Sequence, residues 1–373
     1  MALGPRDTTS LVMLTGWDAT ALRNTTLQDG TSFERIVADM RVALGALNGE
    51  LGSDPLWSGL VSFTDQPESE YRVGGSNGFE SFTEYGRPDS KRASTDGHML
   101  PLEPFDRGLG WTWNYLRQAR MSQIQADIAD AIKDARDLWR VRLLTRLLKR
   151  GDDSGVALNL GAAGLSPGFA TAAGSTGVDF VPPTYGGTAF TSAHEHYVQI
   201  AGGVYTNAVF TDARAELMEH GHQPPYTFLA SGSDETSIRG LTDFTPVAQM
   251  NIRYGLTVDI ATIPAGELSP GTYPIGVISD FVVYIVAGMP QYYGFGYKSY
   301  GANSQRNPLR VRLQKGVTRP IVTAFPDPRS GAGAAYPLQY MMLFTEFGVG
   351  VGDRTNGTTR YVNNAVWADG TPT

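Results

Sequence analysis

Cysteine is absent, which removes disulfides, thiolate zinc sites and cysteine nucleophiles together. Charge is also scarce: Asp, Glu, Lys and Arg make up 18% of the chain, below the usual share of about a quarter. What charge there is sums to −7, which argues against tight nucleic-acid binding by the folded surface as a whole. No apolar run approaches the roughly 18 residues of a membrane span, and no basic-then-apolar leader opens the chain. The protein is therefore expected to be soluble and intracellular when made. Asn24-Thr25-Thr26 and Asn356-Gly357-Thr358 spell glycosylation acceptors, but without a secretory route they are chance matches.

What is present is apolar and flexible. Hydrophobic residues make up 41% and aromatics 10%, and 373 residues can hold two or three compact units. Few charges beside 44 glycines, 17 tyrosines and 6 tryptophans predict a surface largely covered by something else. The stretch from Trp111 to Arg150 organises the chain. It has no Gly or Pro over about ten turns, and Gly151 offers a left-handed cap. Ile124, Ile128, Ala131, Ala135 and Leu138 recur at spacings of four and three and draw one apolar stripe. Arg140, Arg142, Arg146, Lys149 and Arg150 crowd the end, where cations complement the helix dipole. The heptad pattern lasts only about two heptads before Leu143, Leu144, Leu147 and Leu148 widen the face. The stretch reads as one long spine helix, packed along one side by a sheet.

Ahead of it, residues 1–30 form a polar, Thr-rich arm, and Thr31 with Glu34 spells a capping box for a helix to about Gly52. From Thr64 to Gly110 the chain is rich in Gly and Ser, and its aromatics alternate with polar residues. That pattern reads as a long two-stranded excursion, marginal alone in water. Behind the spine, Gly151 to Gly187 is loop-like. Ser192 with Glu195 predicts a helix through about Gly202, and another runs to His220, stopped by Gly221 and Pro224-Pro225. Tyr226–Ala230, Leu256–Ile263, Tyr273–Ile278, Phe281–Ala287, Met341–Val351 and Thr358–Trp367 read as strands, and Ser233–Leu241 as a helix.

In order and landmarks the chain resembles the major capsid proteins of tailed double-stranded-DNA phages, the Hong Kong 97-type fold. Asp212 to Gly221 followed by Pro225 to Ala230 resembles that family's helix, Gly turn and axial-domain strand. Val277 to Val286 resembles its Asp-Phe-then-strand segment, and Glu346 to Val351 with Ala365 to Trp367 its closing strands. The resemblance covers roughly residues 30–367. It implies an α+β subunit: residues 1–63 as N-terminal arm and helix, 64–110 as the extended hairpin called the E-loop, and 111–200 as peripheral (P) domain with the spine helix. Residues 201–307 would then be the axial (A) domain, and 308–373 a return to the P domain. The implied function is structural, with no catalytic, cofactor or metal site. Copies would self-assemble into hexamers and pentamers of an icosahedral virion head, built in the host cytoplasm around packaged DNA held by weak, non-specific contact. A separate scaffolding protein, a portal and a decoration protein are the implied partners, with no membrane. An encapsulin-like nanocompartment shell is the alternative.

Implied assembly residues lie in the hairpin: Phe79, Phe82, Tyr85, Arg87, Lys91 and Arg92. Some shells of this family crosslink a hairpin Lys to a neighbour's Asn. Lys91 is the one Lys here, and Asn356, Asn363 and Asn364 are candidate acceptors, but non-covalent locking is expected. Arg140, Arg142 and Arg146 are candidate DNA-facing residues, with dipole complement and intersubunit ion pairs as the stronger reading. His194, His196, His220 and His222 invite a metal reading and, with it, a metal-dependent hydrolase. On a helix, however, His194 and His196 would point to different faces and chelate poorly, so no metal is expected. Gly74 to Gly78 matches a nucleophile elbow only in letters, without the strand and helix that motif needs. The run Gly348, Gly350, Gly352 and the pair Lys298-Ser299 likewise lack the context of a phosphate-binding loop.

Overall fold

The computed structural model describes residues 27–73, 94–151, 167–170, 180–247, 272–318, 320–326 and 338–373. It opens with helices α1 (Phe33–Ser53) and α2 (Pro55–Leu60) and strands β1 (Val61–Thr64), β2 (Glu68–Val73), β3 (Ser94–Met99) and β4 (Glu103–Thr112). Helices α3 (Trp113–Gln118) and α4 (Met121–Leu148), strand β5 (Tyr197–Ile200) and helix α5 (Asn207–Glu219) follow. Strand β6 (Tyr226–Ala230), helix α6 (Glu235–Arg239) and strands β7 (Thr245–Pro246), β8 (Tyr273–Ile278) and β9 (Phe281–Ile285) come next. Strands β10 (Tyr293–Tyr297), β11 (Leu309–Leu313), β12 (Thr323–Pro326), β13 (Leu338–Val351) and β14 (Thr358–Val362) complete the chain. The chain divides into two compact units. One comprises Met1–Gly52, Pro104–Trp139 and Arg319–Glu346, the other Ser53–Glu103, Arg140–Thr318 and Phe347–Thr373.

In the first unit, α1 buries Ile36, Met40, Leu44 and Leu47, one helical face. The Asn48 side chain then pairs with the Val322 backbone, donating to its carbonyl at 3.0 Å and accepting its N–H at 2.7 Å. Strands β12 and β13 run antiparallel, with Thr323 opposite Phe344, and β4 also pairs with β13. The spine stripe is core at Ile124, Ile128 and Ala131, all buried. Ala135 and Leu138 line a groove of about 420 Å³ with Phe105, Val322, Leu343 and Phe344.

The expected single helix from Trp111 to Arg150 is corrected: it breaks between Gln118 and Met121. Ala119 turns extended (φ −76°, ψ 152°), and no Gly or Pro marks the place. The cause is tertiary. Gln28 N–H donates to the Ala119 carbonyl at 3.0 Å, and Met121 N–H donates to the Asp29 carboxylate at 2.7 Å. A carboxylate at a helix start also complements the dipole, and the Met121 and Thr31 backbone N–H groups hold the Asp29 carboxyl below its usual pKa.

In the second unit, seven strands form one sheet in the order β5-β14-β10-β6-β9-β8-β7. Helix α5 packs Val209, Phe210, Ala213 and Leu217 into the same core as Phe228 and Phe281. The β8–β9 hairpin turns on Ser279 (φ 47°) and Asp280 (φ 68°), two left-handed residues of the kind that matches strand twist. Asp280 is also paired to Arg214 of α5 at 2.9 Å. Strand β1 runs parallel to β11, and β11 antiparallel to the end of β13, with Leu309 opposite Val351.

The helix expected from Ser192 to Gly202 is corrected as well. Tyr197–Ile200 is a strand, parallel to β14, with Tyr197 opposite Thr359. Its side chains override the capping-box spelling: the buried Tyr197 hydroxyl donates to the Lys149 carbonyl at 2.9 Å and accepts Phe169 N–H at 3.1 Å. The Tyr273–Ile278 strand is present as expected. Strands expected at Phe281–Ala287 and Thr358–Trp367 end earlier, at Ile285 and Val362, and the last long strand begins earlier, at Leu338. The 1–26 part of the expected arm, the Leu256–Ile263 strand and most of the Gly151–Gly187 loop lie outside the described residues.

Ile128, 6% exposed, tests the stripe. Ile128→Asp buries an unpaired carboxylate and is expected to cost on the order of several kcal/mol, giving insoluble or unfolded protein. Soluble Ile128→Asp protein with an undiminished cooperative melt would place that face outside the core.

Candidate functional site

The excursion before the spine is a hairpin with a built root. Strands β2 and β3 pair antiparallel from Glu68 opposite Met99 to Val73 opposite Ser94. At the base, Leu100 N–H donates to the Pro67 carbonyl at 2.7 Å, and Ser69, His98 and Leu100 are buried. Two arginines of β11 hold this base: Arg310 donates to Ser69 Oγ at 3.2 Å and Arg312 to the Leu100 carbonyl at 2.9 Å. The candidate assembly residues Phe79, Phe82, Tyr85, Arg87, Lys91 and Arg92 lie outside the described residues.

At the root, His98 is a titratable side chain in the core, 4% exposed. Burial first, then the Arg354, Arg146 and Arg310 guanidinium groups, push its pKa from 6.5 down to about 3. No spacing in the sequence singled this residue out.

The candidate DNA-facing arginines are engaged within the chain. Arg146 is 1% exposed and donates to the carbonyls of Lys149 at 2.6 Å and Gly151 at 3.0 Å. A buried guanidinium capping its own helix faces no ligand, which corrects that reading for Arg146. Arg140 donates to the Thr373 carbonyl at 3.1 Å, and Arg142 pairs with Glu103 at 3.1 Å. Among the candidate crosslink acceptors, Asn356 is buried, with its amide donating to the carbonyls of Lys298 at 2.7 Å and Arg306 at 2.6 Å. The Asn364 amide oxygen accepts Gly202 N–H at 2.8 Å, and that of Asn363 accepts Ala365 N–H at 3.1 Å.

The four candidate histidines split three and one. His222 stands apart, its Nδ1 2.8 Å from the Tyr300 hydroxyl and its Nε2 3.1 Å from Thr355 Oγ1. His194 and His196 precede β5 on non-helical backbone, and His220 caps the C-terminus of α5. Their three Nε2 atoms converge, and Glu219 joins them. The objection that a helical pair chelates poorly therefore falls away with the helix.

The native state holds His98 neutral down to about pH 3, whereas the unfolded chain protonates it near 6.5. Its contribution is fully present above 6.5 and is lost as the pH falls towards 3, because only the unfolded state takes up the proton. The loss amounts to about 1.4 kcal/mol per pH unit. Urea midpoints compared between about pH 6 and 4 should fall less steeply in His98→Gln than in the parent chain. Parallel curves would show that His98 protonates as easily folded as unfolded.

No family model matches the sequence, and no curated protein matches it. Solved structures do match. The chain is similar to one from Mycobacterium phage Patience, at 20% identity over 93% of either chain, with a TM-score of 0.63. It is also similar to a chain in the asymmetric unit of the bacteriophage PhiM1 mature capsid, at 11% identity over 84% of this chain and 89% of that one, TM-score 0.49. A third is the capsid of the native GTA particle, at 15% identity over 82% and 88%, TM-score 0.48. At 20% identity the first likeness shows the fold, and it runs through nearly the whole of both chains. The chain has the α+β, Hong Kong 97-type fold.

Proposed function

We propose that this chain is a major capsid protein, whose copies assemble through hexamers and pentamers into an icosahedral phage head around packaged double-stranded DNA. The observation that carries this is the fold likeness to the Mycobacterium phage Patience chain over 93% of either chain. The composition fits: 18% charged residues leave a surface suited to burial against neighbours, since interface centres are depleted in charge. No described helix is long and apolar enough to cross a membrane. Residues 1–63 serve as arm and first helix, 64–110 as E-loop, 111–200 as P domain, 201–307 as A domain and 308–373 as the return to the P domain. Assembly takes place in the host cytoplasm with a separate scaffolding protein and a portal, and a decoration protein is a further partner. Phe79, Phe82, Tyr85, Arg87, Lys91 and Arg92 make the hairpin's contacts, locked non-covalently.

Two outcomes test the reading. Replacing residues 76–91 with a short Gly/Ser linker spares both strands of the hairpin root, and a shortened surface excursion changes closure entropy little. The variant should keep its helical circular dichroism and a cooperative melt. In sedimentation velocity it should run as monomers or small capsomers, where the parent chain forms large closed particles. Normal particles from the variant would remove the hairpin from assembly, and unfolding would make it part of the subunit core. Second, the subunit should not bind duplex DNA tightly at roughly 150 mM salt, where non-specific dissociation constants usually sit at about 10⁻⁴–10⁻⁶ M. Sub-micromolar binding in a fluorescence-anisotropy titration would contradict a wall that only loosely contacts its cargo.

A further inference from the structure

Three of the five histidines in the chain meet at one point in the second unit. The Nε2 atoms of His194 and His196 are 2.9 Å apart, those of His194 and His220 2.8 Å, and those of His196 and His220 2.9 Å. Glu219 directs Oε1 to within 3.3 Å of His194 Nε2 and 3.8 Å of His220 Nε2. The His196 and His220 side chains are buried, while His194 and Glu219 keep 18% and 35% of theirs exposed. Phe190 closes one side, its ring 4.4 Å from that of His220 and 4.8 Å from that of His194.

Hydrogen bonding alone does not account for this triangle. His196 Nδ1 lies 2.7 Å from the Gly357 carbonyl, which can only accept, so Nδ1 carries the proton and neutral His196 presents a lone pair at Nε2. Each remaining Nε2 either carries one proton or presents one lone pair. If both carry a proton, two N–H groups face each other at 2.8 Å; if either does not, its lone pair faces that of His196 at 2.9 Å. One edge of the triangle is repulsive in every tautomer. Adding a proton offers no escape, because among three atoms that each carry either a proton or a lone pair two are always alike. A cation at the centre would accept all three lone pairs at once.

We propose that His194, His196, His220 and Glu219 bind one divalent transition-metal ion, zinc foremost, as a structural clip. Zn–N bonds of about 2.05 Å in a tetrahedron set ligand atoms about 3.3 Å apart. The observed edges are within about 0.5 Å of that. An ion about 1.2 Å off the plane of the three nitrogens lies about 2.05 Å from each. Glu219 supplies the fourth ligand. Imidazole with one carboxylate suits zinc and its neighbours, whereas calcium and magnesium take oxygen ligands. The Gly357 carbonyl fixes the His196 tautomer, as outer partners of metal-bound histidines do. Four protein ligands close the tetrahedron, the signature of structural rather than catalytic zinc. The partly exposed His194 and Glu219 give the ion a way in. Bound there, it fastens the segment entering β5 to the end of α5, and through Gly357 to the turn before β14.

The test uses the full chain, stripped with chelator and then given zinc alone or cobalt(II) alone. One equivalent of zinc should be retained per chain by elemental analysis after gel filtration, and zinc should raise the melting temperature. Cobalt should give the visible bands of a four-coordinate site. His194→Gln, at the partly exposed corner, should lose the retained zinc and the melting shift while still folding by circular dichroism. A parent chain that retains no zinc and shows no shift with either metal overturns the proposal without recourse to any variant. So does undiminished zinc retention by His194→Gln.

Discussion

The buried ion pair between Glu216 and Arg360 fixes the place of β14 in its sheet. Arg360, 1% exposed, reaches Glu216 at 2.8 Å, and Thr358 Oγ1 donates to the other carboxylate oxygen at 2.6 Å. Two residues of the strand are thereby tied to one turn of α5. Burial raises the Glu216 pKa in spite of the guanidinium beside it, so the pair contributes little net stability. Its value lies in register. Removing one partner would strand a buried charge at a cost of about 3–5 kcal/mol, which penalises every other pairing of this strand. Strand β5 depends on β14, its one partner among the described residues, and the Thr359 N–H donates to the His196 carbonyl at 2.8 Å. The histidine cluster thus takes part of its geometry from an ion pair outside its own four residues.

Elsewhere in the same unit, asparagines do comparable work without charge. Asn307 accepts Tyr300 N–H at 3.1 Å and donates to the Val61 and Gly301 carbonyls at 3.1 and 2.8 Å. Asn356 accepts Lys298 N–H at 2.8 Å and returns a bond to the same residue's carbonyl. Both are wholly buried, so they supply the partners that irregular backbone would otherwise lack away from water. This is how the turns around β10, β11 and β14 remain fixed without regular pairing. It is also why Asn356 is a poor candidate for covalent chemistry, since its amide is already committed on both sides.

What the sequence made legible was periodic. The stripe Ile124, Ile128 and Ala131, helix α5 with its Gly221 stop, and the strands at Tyr226 and Tyr273 each follow from local patterns that burial then respects. What escaped was decided by distant residues. The break at Ala119 depends on Gln28 and Asp29, about ninety residues earlier, and nothing local forbids a continuous helix. Tyr197 to Ile200 spells a helix start in Ser192 and Glu195 but lies beside β14 because Tyr197 has partners in Lys149 and Phe169. That one misreading of period hid the histidine cluster. The i, i+2 spacing that disqualifies two ligands on a helix brings them to one side on extended backbone. Arg146 escaped in the same way: a dipole-complementing cation is normally a surface residue, and here it is folded back onto the carbonyls it complements.

That last feature changes the meaning of the low charge. Arg146, Arg354 and Arg360 are each 1% exposed, so part of an already small cationic complement never reaches the surface. Arg354 donates to the Gly168 carbonyl at 3.0 Å and lies over the Phe180 ring at 4.4 Å, a cation held by backbone dipoles and a π face. Inside, such guanidinium groups act as multi-pronged donors to loop carbonyls, a task that a lysine ammonium performs poorly. After burial, the first cause, they also help hold His98 neutral at the hairpin root, because a second positive charge there would meet Arg354 and Arg146. Arg146 and Arg354 are thus spent on securing irregular backbone. For the shell subunit proposed here, fewer surface charges would then have to be desolvated when neighbouring copies arrive.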